Sequence, residues 1–253
     1  MNSLRKLQRY GSKSYLIQGD EVVLEKHVSK FEELENSIKK LSKDVKKYQE
    51  CILDVTEHEK RMTSDLSNSL LCHEDEKTRS LVEEWHSFIA QANSFDEDLI
   101  LITHRTIGEP LKKFQGVFTE TKGALKKRDQ SMQDCMRANQ KVQKLQEKEK
   151  TGANIVKLEA AKQNLTNLEQ DFRNQDRSLK SDLPLLYEGR IEYFQPCLEA
   201  LIKAQVEHSG NSANLFSENI PSLKKFTMSE LEFKQLQNQR LSQIHALSIV
   251  GDN

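Results

Sequence analysis

Residues 141–197 contain two long helical patterns that are separated by one short turn. After the turn, apolar residues recur three or four positions apart, with one slip at Gln175, as on one face of a helix: Leu158, Ala161, Leu165, Leu168, Phe172, Leu179, Leu183 and Leu186. The same spacing precedes the turn: Leu125, Met132, Cys135, Val142 and Leu145. Because two helices joined by so short a connection lie antiparallel, this region predicts a stalk whose far end is the turn at Thr151 and Gly152.

The rest of the chain continues the helical pattern. Residues 20–107 contain neither glycine nor proline, which is unusual for any segment that is not mostly helix. We expect one helical domain over 20–215, with helices at about 21–67, 74–150 and 153–208, and a C-terminal tail over 216–253 with a short amphipathic helix. Prolines inside these helices predict kinks rather than ends, because they remove a backbone hydrogen bond while the apolar spacing resumes: Pro110, Pro184 and Pro196.

Helices of this length predict an all-α protein built as a long, kinked, three-helix antiparallel coiled coil. One such chain is too thin to bury its own apolar stripes, so we expect a two-fold homodimer in which six helices share one core. The candidates for that shared core are the bulkiest apolar residues away from the basic turn: Trp85, Phe88, Phe95 and Phe194. Packing within one chain is the alternative for these four side chains.

Composition excludes several classes of protein. Charged residues make up 30% of the chain, but the net charge of −1 argues against a nucleic-acid binder. The four cysteines lie far apart without metal-ligand spacing, so neither disulfides nor a metal site is indicated. No apolar run approaches the ~20 residues that cross a bilayer, and no signal sequence is present, so we expect a cytoplasmic protein.

An enzyme is not indicated either. The seven histidines form no HExxH motif, and no glycine-rich phosphate loop is present. Long helices also offer no pocket in which catalytic groups converge. We therefore expect no catalytic residues, no cofactor and no metal.

The N-terminal segment 1–19 is basic and contains no acid. Wound as a helix, it places apolar side chains on one side and four cations on the other, which is typical of a helix that lies in a membrane interface. The residues expected to enter or contact the membrane are Leu4, Arg5, Lys6, Leu7, Arg9, Lys13 and Tyr15. A disordered basic tail is the alternative, since Gly11 among serines lowers helix propensity.

Further cations cluster along the second helix and at the turn. Four basic stretches, residues 1–19, 39–47, 111–128 and 141–163, together carry +16, so the remainder carries −17. A basic run is often only a solvated face, yet these repeat toward the turn and predict contact with anionic lipid. The candidates are Lys122, Lys126, Lys127 and Arg128 in mid-helix, and Lys141, Lys144, Lys148 and Lys150 at the tip. Because Leu125 lies on the apolar face of the helix, Lys127 should point further into solvent than Lys126 or Arg128.

Several segments together resemble the BAR domain of amphiphysins and their relatives over roughly residues 25–253. They are LKKFQGVF, ALKKRDQSMQD, KEKTG, LPLLYEGRIEYFQP and the ending ALSIV-GDN. The resemblance implies a crescent-shaped homodimer that senses or generates membrane curvature by binding anionic phospholipid through a concave basic face. It places the concave cations at Lys126, Lys127 and Arg128 and the tip cations at Lys148 and Lys150. The first 20 residues do not match that family's N-terminus, so the interfacial helix depends on its residue pattern alone.

The resemblance also implies a cellular setting. Its relatives are associated with actin organisation, cytokinesis and endocytosis, which suggests a peripheral location at membranes and the cortical cytoskeleton, with actin-regulatory proteins or small GTPases among the partners. A cytoskeletal or GTPase-binding coiled-coil scaffold without lipid contact is the alternative. Such a scaffold explains the apolar helical spacing and the negative charge outside the basic stretches equally well. It does not explain why residues 1–19 are amphipathic and contain no acid.

Overall fold

The structure is a computed structural model that describes residues 18–73, 75–218, 228–247 and 249. The residues expected to insert at the N-terminus, from Leu4 to Tyr15, lie outside this range. The described chain forms six α-helices and no strand: α1 (Gln18–Ser67), α2 (Leu70–His73), α3 (Glu76–Thr103), α4 (Glu109–Gln146), α5 (Gly152–Glu218) and α6 (Glu230–His245). The all-α prediction is confirmed. The helix expected at 153–208 extends further, to Glu218, and one π-helical turn, His104–Gly108, joins α3 to α4.

The π-helical turn explains how the chain passes Pro110. The Glu109 N–H donates to the carbonyl oxygen of His104, five residues earlier, instead of four. Proline has no N–H and its ring collides with the carbonyl of the preceding turn, so a locally wider turn accommodates it without ending the helix. Pro184 and Pro196 likewise lie inside the continuous helix α5.

Contacts among the described residues form two compact units, the first within 1–55 and 97–205 and the second within 56–96 and 206–253. The first unit has an aromatic core. Phe114 lies at its centre, and its ring centroid is 5.3 Å from that of Phe118 and 4.9 Å from that of Phe194. Phe31 contacts Phe118 edge-to-face, with the ring centroids 5.3 Å apart. Edge-to-face pairs of this kind each add about 0.5–1.5 kcal/mol beyond the burial of their area.

The second unit has a more polar interior. Asp96 accepts a hydrogen bond from Thr56 at 3.0 Å and lies 2.6 Å from His208 Nε2. Burial and the charge of Asp96 raise the pKa of Glu59 above its ordinary value. Asn93 is 1% exposed, and its amide has no hydrogen-bond partner among the described residues. Such buried polar groups are costly unless they are hydrogen-bonded, as Thr56 and Asp96 are to each other.

Candidate basic interface

The basic tip is formed where α4 ends at Gln146 and α5 begins at Gly152. The connection is held by its own backbone: the Thr151 N–H donates to the Glu149 carbonyl at 2.9 Å. The Asn154 side-chain amide donates to the same carbonyl at 2.9 Å. These bonds satisfy groups that a helix end otherwise leaves to water, so the turn has a defined conformation.

The four predicted tip lysines are all exposed: Lys141, Lys144, Lys148 and Lys150. Lys141 and Lys144 lie on the solvent side of α4, where Ala138 and Val142 are buried on the other side, and Lys148 and Lys150 lie in the connection to α5. Lys157 is also exposed, and Lys162 lies 3.7 Å from the exposed Glu159. The tip therefore presents cations whose charges are solvated rather than neutralised within a core.

The cations in the middle of α4 have three different environments. Lys126 and Lys127 are exposed, as expected for side chains that could contact a headgroup. Lys122 is partly buried, and its Nζ donates to Glu35 Oε1 at 2.7 Å. Lys39 Nζ lies 2.8 Å from the same oxygen. Lys122 therefore shares its charge with an acid of α1, while Lys126 and Lys127 keep theirs available.

The buried carboxylate of Glu35 depends on these lysines. Glu35 is 7% exposed, and burial alone raises the pKa of a carboxyl. Hydrogen bonds from Lys122 and Lys39 outweigh that effect and hold the pKa of Glu35 below its ordinary value. The group stays ionised at neutral pH and joins α1 to α4.

Arg128 corrects the sequence prediction. It was expected to contact lipid, but it is 1% exposed and donates to Asp176 at 2.8 Å and to Glu21 at 2.6 Å. Burial lowers the pKa of Arg128, but these two carboxylates outweigh burial and raise it above its ordinary value. The guanidinium carbon also lies 5.1 Å from the ring centre of Phe172. A guanidinium enclosed in this way cannot reach a phospholipid headgroup.

The sequence contained a signal for this network. Leu125, Arg128 and Met132 are spaced three and four residues apart, so Arg128 takes a seam position of α4. In α5, Asp176 takes the next seam position after Phe172, which accounts for the slip in apolar spacing at Gln175. A cation on the apolar seam of one helix and an acid on the facing seam of another indicate a buried ion pair.

The four aromatic residues proposed for a dimer core lie in two different environments. Phe194 is 9% exposed and packs on Phe114 within the first unit, so for this residue packing within one chain replaces the dimer prediction. Trp85, Phe88 and Phe95 are half-buried in the second unit. Their remaining exposed surface is available to a partner.

Two kinds of site are not found in the described residues. No helix there is both long enough and apolar enough to span a membrane. The same residues contain no group of three or more His, Cys, Asp or Glu side chains that could bind a metal ion.

A groove of about 470 Å³ does lie in the second unit, contrary to the expectation that long helices offer no pocket. Its lining includes Lys60, Arg61, Asp65 and His86.

Comparison with known proteins identifies the fold. Residues 19–225 match the sequence profile of the BAR domain. The chain belongs to the BAR domain family. This BAR-domain chain is 32% identical over 229 residues to bridging integrator 3 of Homo sapiens, covering 90% of each chain. It is 28% identical over 171 residues to the regulator of cytoskeleton and endocytosis of Candida albicans, covering 66% of this chain and 63% of that protein.

The same fold is found in a solved BAR-domain structure. The amphiphysin BAR domain from Drosophila superimposes with a TM-score of 0.70 at 19% sequence identity, covering 85% of this chain and 96% of that one. At this identity the likeness concerns the fold alone. The resemblance to BAR domains predicted from the sequence is confirmed, and α6 lies beyond the matched residues. BAR-domain proteins are structural scaffolds rather than enzymes.

Proposed function

We propose that this BAR-domain chain binds anionic phospholipid membranes and senses or generates their curvature. The observation that carries the proposal is a row of exposed lysines on a BAR fold: Lys126, Lys127, Lys141, Lys144, Lys148 and Lys150. Each cation near an anionic bilayer contributes about 1 kcal/mol of attraction. Lys122 adds a smaller share because Glu35 already neutralises it. Arg128 acts inside the fold and is not part of this surface.

Homodimerisation is the second part of the proposal. BAR domains typically homodimerise, and the second unit exposes apolar side chains that a monomer would leave in water, among them Leu70 at 87%, Leu71 at 71% and Val206 at 67% exposure. Together with the half-buried Trp85, Phe88 and Phe95, they support pairing through the second unit. Two linked protomers then bind one membrane far more tightly than either alone, because the second contact is intramolecular.

The names of the relatives support a proposal for the cellular role. One is named a regulator of cytoskeleton and endocytosis, and we extend that role, together with actin organisation and cytokinesis, to this chain. The protein would act in the cytoplasm, at membranes and at the cortical cytoskeleton, with actin-regulatory proteins or small GTPases as partners. Residues 1–19 would fold as an interfacial helix on the membrane, because lipid supplies the apolar partner that water does not.

Sedimentation of the purified full chain with vesicles tests the proposal. Vesicles of phosphatidylserine and phosphatidylcholine in equal amounts should carry the protein into the pellet, whereas vesicles of phosphatidylcholine alone should leave it in the supernatant. Added salt should weaken the binding, because at about 0.1 M salt the attraction between exposed charges is largely screened beyond about 10 Å. Binding to neither kind of vesicle would instead favour the cytoskeletal scaffold without lipid contact, and equal binding to both would contradict recognition of anionic lipid.

A further inference from the structure

The first turns of α5 expose apolar side chains next to the tip lysines. Ile155 is 54% exposed and Val156 is 69% exposed, and the small residues Ala153 and Ala160 are exposed beside them. We call these four residues the tip wedge. Two adjacent branched apolar side chains that are more than half exposed form a small apolar patch at the start of the helix.

Helix geometry shows which way the tip wedge faces. With Ile155 at zero, Val156 lies at about 100° and Ala160 at about 140°, whereas the seam residue Leu158 lies at about 300°. Leu158 is half-buried, in keeping with a seam position. The tip wedge therefore occupies the side of α5 that is turned away from the seam.

The tip wedge is held in a fixed conformation. The Ile155 N–H donates to the Thr151 carbonyl at 3.0 Å, and the Asn154 amide anchors the preceding turn to the Glu149 carbonyl at 2.9 Å. A helix start that is already ordered loses little conformational entropy when its side chains are buried by a partner. This preorganisation favours insertion of the apolar side chains as a unit.

The charges around the tip wedge identify its partner. The tip, residues 141–163, exposes six lysines and three acids, Glu147, Glu149 and Glu159, so its net charge is +3. Glu159 lies 3.7 Å from Lys162, which offsets its charge beside Ile155 and Val156. Cations favour an anionic surface, and apolar side chains favour one with a hydrocarbon layer directly beneath the charges. We propose that the tip wedge inserts into the interfacial layer of an anionic bilayer while the tip lysines contact the headgroups. This inference rests on the proposed function and assigns to the tip a hydrophobic contact in addition to its charges.

A double substitution tests the insertion. Ile155→Gln with Val156→Gln keeps helix-forming side chains and the charge but removes the apolar contact. Binding to vesicles of phosphatidylserine and phosphatidylcholine in equal amounts should become about tenfold weaker, because two partly inserted branched side chains per protomer are lost. The matched control is Leu185→Gln with Ile191→Gln, two exposed positions further along the same helix, which should bind as the wild type does.

The outcomes separate this inference from the proposed function. If the wild type does not bind the vesicles, both are overturned; if the wild type and the tip variant bind equally, only the tip wedge is overturned. Raised salt should weaken the wild type and the variant together while leaving the difference between them, since burial of apolar surface is not screened. Sedimentation velocity without vesicles supplies a further check. A change in assembly size on substitution would show that the tip wedge contacts a second copy, contrary to lipid insertion.

Insertion is also measured directly. Val156→Trp places an indole in the tip wedge, and its emission is read as the difference from the wild-type signal of Trp85. On anionic vesicles the emission should shift to shorter wavelength and should be quenched by lipids brominated on their acyl chains. An unshifted, unquenched signal from protein that has sedimented with the vesicles would contradict insertion.

Discussion

Arg128 and Asp176 are joined by two hydrogen bonds to one carboxylate oxygen, from Nε at 3.0 Å and from Nη2 at 2.8 Å. The same guanidinium donates to Glu21 in the first turns of α1. One buried cation therefore links α1, α4 and α5. It also fixes the start of α1, directly after the segment that we expect to enter the membrane.

Removing this cation should destabilise the fold. Arg128→Met fills a similar volume but leaves Glu21 and Asp176 without their partner, and breaking a buried pair in this way costs about 3–5 kcal/mol. Urea unfolding followed by circular dichroism measures the loss. Lys127→Met, at the exposed neighbouring position, is the matched control and should change stability by less than about 0.5 kcal/mol. Equal stabilities of the two variants would contradict the role given to Arg128.

The ion pairs of Glu35 should make stability depend on pH. The pKa of Glu35 is lower in the folded chain than its ordinary value of 4.5, so the pairs stabilise the fold above that pH and the contribution is lost as pH falls toward the lowered pKa. Glu35→Gln should cost about 1–2 kcal/mol at neutral pH and progressively less in acid. Unfolding measured over a pH series checks this, with the exposed Glu32→Gln as control. A difference from wild type that does not shrink in acid would count against these pairs.

The second unit should carry the dimer contact. Phe88→Glu with Phe95→Glu introduces charge at two half-buried positions and should yield monomers at micromolar concentration, as measured by sedimentation equilibrium. Circular dichroism reports whether the helices persist. Ile191→Glu, an exposed position of the first unit, should leave the dimer intact. A folded double variant with the mass of the wild type would place the dimer contact elsewhere.

The N-terminal segment should change on membranes. Residues 1–19 should exchange backbone hydrogens rapidly in free protein and slowly on anionic vesicles, as Leu4, Leu7 and Tyr15 enter the interface. Leu7→Glu should reduce tubulation of vesicles without changing dimerisation. Mass spectrometry of exchanged peptides provides the measurement. Rapid exchange on vesicles that the protein has visibly deformed would show that insertion is not needed.

Periodicity predicted the helices because long apolar stripes leave few alternatives. The position of Arg128 was missed because a basic cluster was interpreted by charge, whereas its burial depends on acids supplied from two distant helices, at Glu21 and Asp176. Phe194 was assigned to a dimer for a similar reason: size and apolarity do not distinguish an intrachain partner such as Phe114 from a second copy. Partner choice between helices depends on tertiary contacts that single-helix patterns do not contain.

The exposed pair Lys126 and Lys127 should determine how strongly the chain binds anionic membranes. Lys126→Glu with Lys127→Glu exchanges attraction for repulsion on the proposed membrane-binding surface and should weaken binding to anionic vesicles by about tenfold or more at physiological salt. Helicity and melting temperature should barely change, since exposed substitutions usually shift stability by less than about 0.5 kcal/mol. Lys234→Glu with Arg240→Glu makes the same charge change in α6, beyond the residues that match the family, and should retain binding.

The decisive comparison is the vesicle affinity of these two folded variants, measured side by side by sedimentation. Our account predicts weak binding by the Lys126 and Lys127 variant and near-normal binding by the α6 variant. Wild-type affinity and tubulation in the folded Lys126 and Lys127 variant would contradict it, and would leave this patch as a solvated face of a scaffold.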